Sequence, residues 1–368
     1  MGGGDRHVAR MAEAAERAVE AGLAGLLVTP SADLVYLAGY DPPPLERLTC
    51  LVLRAGSDPV LVVPELEKLR AQGSPGGRLV ELAGWRDGED PHELVRRMLT
   101  NGASYGITDT APAVHALALR EGPGARFELV PASRAGLALR VTKDAEEIEL
   151  LSRAAAGADR AFERIAETTF TGRTEAQIAA TLGGLLREEG HDSVAFTIVG
   201  SGSNAASPHH EPGGRVVGPG DPVVLDFGGR VGGYCSDISR TVCVGAPPPR
   251  FHEVYEVVRR AQELAFRTIR PGVPAEDVDR AARGAIEAAG LGERFVHRTG
   301  HGIGLEEHEP PYIVAGNREP LGPGMCFSVE PGVYLEGEFG VRIEDIVVVT
   351  EDGARRLNEA PRDLHTVA

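Results

Sequence analysis

The chain reads GRTEAQIAATLGGLLREEG over residues 172–190 and GVPAEDVDRAARGAIEAAG over residues 272–290, and the two segments share a pattern at an offset of 100 residues. Each begins and ends with glycine, and Ile178 of the first corresponds to Val278 of the second. Thr174 with Gln177 forms a capping box, and Pro274 opens the second copy ahead of acidic residues. The pattern predicts two equivalent helices in two half-domains related by a pseudo-twofold axis.

Each predicted helix is followed by an apolar strand that leads to a carboxylate and, soon afterwards, to a glycine. Residues 223–225 end at Asp226 in the first half, and residues 326–329 end at Glu330 in the second. A glycine-rich turn and a returning segment follow each strand, and the returning segments carry Asp237 and Glu344. Two half-domains with a shared centre would bring these four acids together.

Four buried carboxylates repel one another and lose their hydration, so their clustering requires cations. Two divalent ions would meet this need, and His301, in the sequence Gly-His-Gly, adds one imidazole. Oxygen ligands with one histidine and no thiolate favour Mn²⁺ over a structural zinc site, with Co²⁺ or Zn²⁺ as the alternatives. The sequence therefore predicts a dinuclear metal centre.

The chain before residue 141 has a different character. Short apolar segments alternate with helical patterns, which predicts an α/β domain over residues 1–140, including a helix at residues 7–20 and a strand at residues 78–82. Its isolated histidines, His7, His92 and His115, are predicted to be solvated residues on helix surfaces. A long amphipathic helix over residues 143–168 is predicted to open the second domain, residues 141–368.

The candidate ligands occur in five motifs, in the order Asp, Asp, His, Glu, Glu. These motifs are Asp226-Phe227-Gly228, Ser236-Asp237-Ile238, Gly300-His301-Gly302, Glu330-Pro331-Gly332 and Ile343-Glu344-Asp345. The chain thereby resembles the pita-bread metallopeptidases, which include prolidase and aminopeptidase P. The resemblance implies a creatinase-like α/β N-terminal domain and an α+β pita-bread catalytic domain with an internal pseudo-twofold duplication.

The resemblance also implies a role for each ligand. Asp226 would bind one ion, Asp237 and Glu344 would bridge the pair, and His301 and Glu330 would complete the shell of the other ion. A metal-bridging hydroxide would attack the scissile carbonyl group, and Glu330 would act as the general base.

Other residues are implied to act on the substrate or to support the ligands. His209 and His308 match two histidines that bind the substrate carbonyl group and line the proline pocket, with His210 as the alternative to His209. Arg342 is two residues before Glu344 on one strand face, so we expect it to orient Asp237 or another ligand, unless it is an ordinary surface arginine. Thr241 either supports a bridging acid or is a plain strand residue.

One position departs from the family pattern. Many bacterial prolidases carry an arginine that holds the free carboxylate of a dipeptide where this chain has Tyr312. Arg318, or a residue from a second subunit, would have to replace it.

An Xaa-Pro dipeptidase is favoured, and an Xaa-Pro aminopeptidase that acts on longer peptides is the alternative. A creatinase-like enzyme and a non-enzymatic binding module are less favoured.

Composition restricts the partners. The net charge of −16 disfavours nucleic acid and anionic membranes as partners, and no segment indicates a membrane span. Four scattered cysteines indicate no disulfide framework, which suggests a cytoplasmic protein. The expected partners are small peptides with proline in second position and, by resemblance, a second copy of the chain in a homodimer.

Overall fold

The computed structural model describes residues 3–122, 126–135 and 139–368. The chain forms two compact units, Met1–Arg140 and Val141–Ala368. Within the described ranges, no helix combines the length and the hydrophobicity needed to cross a lipid bilayer.

The first unit is built on one mixed six-stranded sheet in the order β4-β3-β2-β1-β5-β6. Its strands are β1 Gly25–Val28, β2 Cys50–Arg54, β3 Val60–Pro64, β4 Glu81–Trp85, β5 Ser104–Ile107 and β6 Glu128–Pro131. Its helices are α1 Gly3–Glu20, α2 Ala32–Ala38, α3 Lys68–Gly73, α4 Pro91–Arg96 and α5 Ala113–Glu121. Strands β1 and β3, which both lie inside the sheet, are apolar and buried along their whole length, as expected for a sheet covered on both faces.

Two predictions for this unit are wrong. The strand expected at residues 78–82 is β4, three residues later, because β4 pairs in parallel with β3 and Val60 lies opposite Glu81. His115 is buried, with its Nδ1 3.1 Å from Nε2 of His92. The helical patterns of α4 and α5 did not show that the two helices pack against each other.

The second unit contains four long helices and three sheets. Its helices are α6 Ala145–Ala166, α7 Glu175–Glu188, α8 Pro249–Thr268 and α9 Ala275–Ala288. Its strands are β7 Ser193–Ser201, β8 Pro222–Val231, β9 Tyr234–Cys235, β10 Ile238–Val244, β11 Gly300–Gly302, β12 Glu309–Ile313, β13 Cys326–Val329, β14 Gly332–Leu335, β15 Phe339–Arg342, β16 Asp345–Val349, β17 Ala354–Arg356 and β18 His365–Val367. The sheets run β18-β10-β8-β7 with β9 beside β8, β12-β11-β13-β16-β17, and β14-β15.

Each half of this unit has its own apolar core. In the first half, α6 and α7 pack on the sheet of β7, β8 and β10, with Phe162, Ile178 and Phe227 buried. In the second half, Val278, Phe327 and their neighbours form the core beneath α8 and α9. The predicted capping box is present at the start of α7. The Thr174 side chain accepts a hydrogen bond from the Gln177 amide, and the Gln177 side chain accepts one from the Thr174 amide. Pro274 occupies the cap position of α9.

The two halves repeat the same backbone contacts. The Gly172 amide donates to the carbonyl oxygen of Val217 at 2.9 Å. The Gly272 amide donates in the same way to Leu321 at 2.8 Å. Both glycines have a φ of +83°, which a residue with a Cβ rarely adopts. The predicted pseudo-twofold duplication is therefore present in the fold.

One local prediction differs from the structure. Strand β8 does not end at Asp226 but continues to Val231, because it stays paired with β7 and then with β9. Asp226 therefore projects from the middle of a strand. By contrast, Glu330 directly follows the end of β13, as predicted.

Candidate active site

The predicted ligands come together in the second unit. They line one cleft of about 490 Å³. Its lining residues are Phe196, Ile198, Pro208, His209, Asp226, Asp237, His297, Arg298, His301, Glu307, His308, Glu330, Arg342 and Glu344. All five predicted ligands belong to this set, as do His209, His308 and Arg342.

Neighbouring strands of the two halves position the acids. Asp226 lies opposite Ser239 in the pairing of β8 with β10, and Asp237 directly precedes β10. Glu344 precedes β16, and its amide donates to the carbonyl oxygen of Ser239 at 3.0 Å. This bond joins the two halves of the unit beside the acids.

His301 directs one ring nitrogen toward the acids. Its Nδ1 lies 3.2 Å from the carbonyl oxygen of Gly302, which can only accept a hydrogen bond, so Nδ1 keeps its proton when the ring is neutral and binds a metal ion. Nε2 is then available as a ligand, and it lies 3.2 Å from Oε1 of Glu330 and 3.8 Å from Oδ2 of Asp237. A Cβ at Gly300 would overlap the carbonyl oxygen of Ser328, so glycine lets β11 approach β13 closely.

The acids fit a divalent cation. Oδ1 of Asp237 and Oε1 of Glu344 are buried and lack a hydrogen-bond partner in the described part of the chain. Such atoms are costly unless a cation or donor satisfies them. Asp237, His301 and Glu344 each offer a ligand atom, and these atoms lie within 4.8 Å of one another. Two carboxylates and an imidazole at this spacing suit a first-row divalent ion.

The pKa values of the acids point the same way. Burial, and then the charges of neighbouring carboxylates, raise the pKa of Asp237 and of Glu344 well above the ordinary values. Burial also acts on Glu330, but its hydrogen bond with His301 and the charge of that ring outweigh it and hold the Glu330 pKa at about 2. The site without a cation therefore retains protons that a divalent ion would displace.

Arg342 contacts Asp226 directly and Glu344 through Ser239, whereas the sequence prediction named Asp237 first. Its Nη2 lies 2.5 Å from Oδ2 of Asp226, whereas no contact with Asp237 is found in the described residues. Its Nε donates to Ser239 Oγ at 2.9 Å, and that hydroxyl donates to Oε2 of Glu344 at 2.8 Å. Thr241 supports no acid, since its hydroxyl exchanges hydrogen bonds with the Arg342 backbone.

Sequence reasoning missed two residues of this network. Tyr334 accepts a hydrogen bond from Nη1 of Arg342 at 2.7 Å, and burial raises the pKa of its hydroxyl to about 12. His297 lies on the other side, with Nε2 2.8 Å from Oη of Tyr334. Burial lowers the pKa of His297, and its Nδ1 donates to the backbone of Arg298. The only available signal was the position of His297 four residues before His301.

The structure separates the two adjacent histidines His209 and His210. His209 lines the cleft. His210 instead lies with its Nε2 2.8 Å from Oε2 of Glu175, a fully buried carboxylate at the start of α7. His210 therefore belongs to a cluster around Glu175, and His209 is the one of the two that lines the cleft.

His308 lies beside a predicted ligand. Its ring centroid is 4.0 Å from that of His301, and burial together with the charge of His301 lowers the His308 pKa to about 4. The next residue, Glu309, forms a buried ion pair with Lys143 at 2.7 Å. This ion pair fixes one end of the loop that carries His308.

The position that departs from the family pattern has a cation nearby. Tyr312 pairs across strands with His301, and the guanidinium of Arg298 lies 4.6 Å from the centre of the Tyr312 ring. Arg298 lines the cleft. Arg318, which the sequence suggested as a replacement, has a side chain that is 87% exposed, 3.6 Å from Glu276, and it is not part of the cleft.

Comparison with known proteins identifies the family. The model of metallopeptidase family M24 matches residues 149–351, and that of the creatinase/prolidase N-terminal domain matches residues 10–142. The chain belongs to metallopeptidase family M24. The predicted fold class, a creatinase-like N-terminal domain with a pita-bread catalytic domain, is thereby confirmed, and this M24 protein is a hydrolase. Membership also implies divalent metal ions.

Relatives of this M24 protein match it over nearly its whole length. An Xaa-Pro dipeptidase from Lactobacillus helveticus is 40% identical over 341 residues, which cover 90% of this chain and 92% of that protein. Dipeptidase PepE from Mycobacterium ulcerans has a crystal structure that matches with a TM-score of 0.94 at 46% identity, covering 99% of this chain and 98% of that one. A prolidase from Thermococcus sibiricus matches with a TM-score of 0.91 at 37% identity, covering 98% and 99%.

The first unit of this metallopeptidase contains a larger cavity of about 740 Å³. It is lined by α1 and by the turn between β2 and β3. Its described lining residues include no histidine and no cysteine, so it offers neither an imidazole ligand nor a nucleophilic thiol. The predicted metal ligands all lie instead in the cleft of the second unit.

Proposed function

We propose that this protein is an Xaa-Pro dipeptidase that uses two divalent ions, preferably Mn²⁺, with Co²⁺ or Zn²⁺ as alternatives. The observation that carries the proposal is that the five predicted ligands meet in one cleft, where two buried carboxylate oxygens have no hydrogen-bond partner among the described residues. The ligands are Asp226, Asp237, His301, Glu330 and Glu344. The cleft volume of about 490 Å³ is typical of sites for small molecules. The relatives named dipeptidase and prolidase support the same substrate class.

The residues of the cleft divide the chemical work. When bound, the ions would polarise the scissile carbonyl group and lower the pKa of a water molecule. Glu330 accepts the proton of the attacking water as its oxygen bonds to the carbonyl carbon. Glu330 then delivers that proton to the proline nitrogen as the carbon–nitrogen bond breaks. His209 and His308 donate hydrogen bonds to the carbonyl oxygen as it gains negative charge.

The walls of the cleft suit a proline ring. Phe196 and Ile198 of β7 and Pro208 present apolar surface beside the acids. The CH2 groups of a pyrrolidine ring are apolar and its amide nitrogen carries no hydrogen, so the ring can pack against these side chains without losing a hydrogen bond. Arg342 does not touch the substrate in this proposal, because it orients Asp226 and, through Ser239, Glu344.

An Xaa-Pro aminopeptidase that acts on longer peptides is the second candidate. Tyr312 favours it, because a phenol ring carries no charge with which to hold the carboxylate of a dipeptide. A creatinase-like enzyme and a binding module are disfavoured, because the full ligand set is retained. The homodimer and the cytoplasmic location remain predictions from the family resemblance and the cysteine usage.

The test is a paired assay. Metal-stripped protein is reconstituted with Mn²⁺ and incubated with Ala-Pro and with Ala-Pro-Ala, and Glu330→Gln serves as the inactive control. Preferred cleavage of Ala-Pro supports the dipeptidase, and preferred cleavage of Ala-Pro-Ala supports the aminopeptidase. If the folded, metal-loaded protein leaves both peptides intact, the proposed function is wrong.

A further inference from the structure

Two arginines line the cleft, and one of them has no donor to spare. Arg342 makes five hydrogen bonds through Nε, Nη1 and Nη2. Their acceptors are Ser239, Tyr334, Asp226 and the carbonyl oxygen of Pro208. A guanidinium has five N–H groups, so Arg342 is saturated and cannot bind a substrate without losing a ligand contact.

Arg298, the other cleft arginine, is in the opposite situation. Among residues 3–122, 126–135 and 139–368, no acceptor is found for its guanidinium, which is half-buried above the ring of Tyr312. Glu307 is the one carboxylate of the cleft outside the candidate ligand set, and it pairs with Arg230 at 3.0 Å. Arg298 thus presents charge and five N–H donors to the cleft with no partner from the described protein.

The backbone on both sides of Arg298 is held in place. Its carbonyl oxygen accepts a hydrogen bond from Nδ1 of His297 at 2.7 Å. The next residue, Thr299, is buried, and its hydroxyl donates to Asp279 of α9 at 2.7 Å. With the aromatic ring of Tyr312 beneath the guanidinium, the side chain is positioned before any ligand arrives, which lowers the entropy cost of binding.

The chemistry of a dipeptide supplies the missing partner. A dipeptide such as Ala-Pro ends in a carboxylate, and burying that charge in the cleft is costly unless a cation pairs with it. A guanidinium binds a carboxylate through two parallel hydrogen bonds. We propose that Arg298, supported by Tyr312, binds the free carboxylate of a dipeptide substrate and thereby makes the enzyme prefer dipeptides over longer peptides. This inference rests on the proposed peptidase function.

The kinetic test compares substrates that differ only at the carboxylate. Arg298→Met retains much of the length of the side chain but removes its charge. Arg298→Lys retains the charge but not the planar guanidinium that can donate two parallel hydrogen bonds. Against Ala-Pro, we expect Arg298→Met to raise KM about 10- to 100-fold with little change in kcat, and Arg298→Lys to recover part of the loss. Against Ala-Pro-amide, neither variant is expected to differ from wild type. Arg318→Gln, which removes an exposed charge outside the cleft, is the matched control and is expected to change neither substrate.

A binding measurement avoids turnover. Calorimetry is used to compare free proline with prolinamide on wild type and on Arg298→Met, with thermal melting as the check on folding. We expect wild type to bind proline more tightly than prolinamide and the variant to lose that difference.

The outcomes separate the two proposals. Equal losses on Ala-Pro and Ala-Pro-amide, or no loss on either, would overturn the role of Arg298 while leaving the peptidase intact. An inactive wild type that still discriminates proline from prolinamide through Arg298 would refute the peptidase and retain the anion site.

Discussion

Arg342 and Asp226 form an ion pair in the cleft, with Nη2 of the guanidinium 2.5 Å from Oδ2 of the carboxylate. The same guanidinium contacts Ser239, whose hydroxyl donates to Glu344. One arginine thereby orients two candidate ligands that come from different halves of the catalytic unit. Carboxylate oxygens accept several bonds, so Asp226 can contact Arg342 and a cation together.

Replacing Arg342 with lysine is expected to weaken metal binding. A lysine provides one flexible charge in place of a planar fork, so Asp226 and Glu344 lose their fixed orientation. Loss of such a supporting contact typically lowers metal affinity about 10- to 100-fold. Competition with a chelator measures the change. Tyr334→Phe removes a single contact of Arg342 and should have a smaller effect, and unaltered affinity in Arg342→Lys would contradict the assignment.

The variant Asp237→Asn is expected to stabilise the metal-free protein while reducing its metal content. The mutation removes a buried acid that neighbouring carboxylates repel, which is why the pKa of Asp237 is raised. Each kcal/mol gained should raise Tm by about 2–4 °C. Asp221→Asn is the matched control with the opposite sign, because Asp221 pairs with Arg215 at 2.8 Å. A lower Tm for metal-free Asp237→Asn would count against mutual repulsion.

The contribution of Asp237 and Glu344 to the stability of the metal-free protein should fall as the pH rises from about 5 to 8. The folded state holds protons on Asp237 and Glu344 at a pH where the unfolded chain has released them, near 4 for ordinary carboxyl groups. The contribution of these two acids therefore decreases with pH in this window. The lowered pKa values of His297 and His308 act in the opposite direction, so the metal-loaded protein serves as the reference. Glu330, with its pKa lowered to about 2, has the opposite effect, but that contribution changes only below pH 5.

Metal ions should reverse this trend, because they displace the retained protons. The measurement is the Tm of metal-stripped and Mn²⁺-loaded protein across this pH range. The difference in Tm between the metal-loaded and the metal-stripped protein is expected to increase as the pH rises. A difference in Tm that does not change with pH would show that the acids do not retain protons in the absence of metal.

The adjacent histidines provide a matched pair of variants. His209→Ala should lower kcat by about 100-fold or more if this imidazole stabilises the developing charge, with little change in Tm. His210→Ala should instead lower Tm, because it leaves the buried Glu175 without one of its partners. Kinetics and melting curves of both variants are the measurements, and the reverse result would exchange their roles.

The buried pair of Lys143 and Glu309 should show strong coupling. Lys143→Met leaves Glu309 buried without its cation and is expected to cost about 3–5 kcal/mol. The double variant Lys143→Met with Glu309→Leu removes both charges and should recover much of that loss. Denaturant unfolding of the two single variants and the double variant measures the coupling. Additive effects would show that the pair does not act as a unit.

Much of the architecture was predictable from local pattern. The repeat at residues 172–190 and 272–290 predicted α7 and α9, since glycine ends, caps and apolar spacing act within one helix. The motifs around Asp226, Asp237, His301, Glu330 and Glu344 identified the side chains that the fold brings to one cleft. Predictions that depended on partners distant in sequence were less successful, as with His115 and the register of β4.

The sequence by itself determined which residues carry the candidate chemistry, because ligand type, order and spacing are properties of the chain. Only the tertiary structure decided their partners. It placed Arg342 on Asp226, His210 on Glu175 and Arg298 over Tyr312. The first two of these contacts join residues more than 30 positions apart, and the third joins Arg298, two residues before β11, to Tyr312 of β12. Side-chain direction and burial arise from packing, and no local pattern contains them.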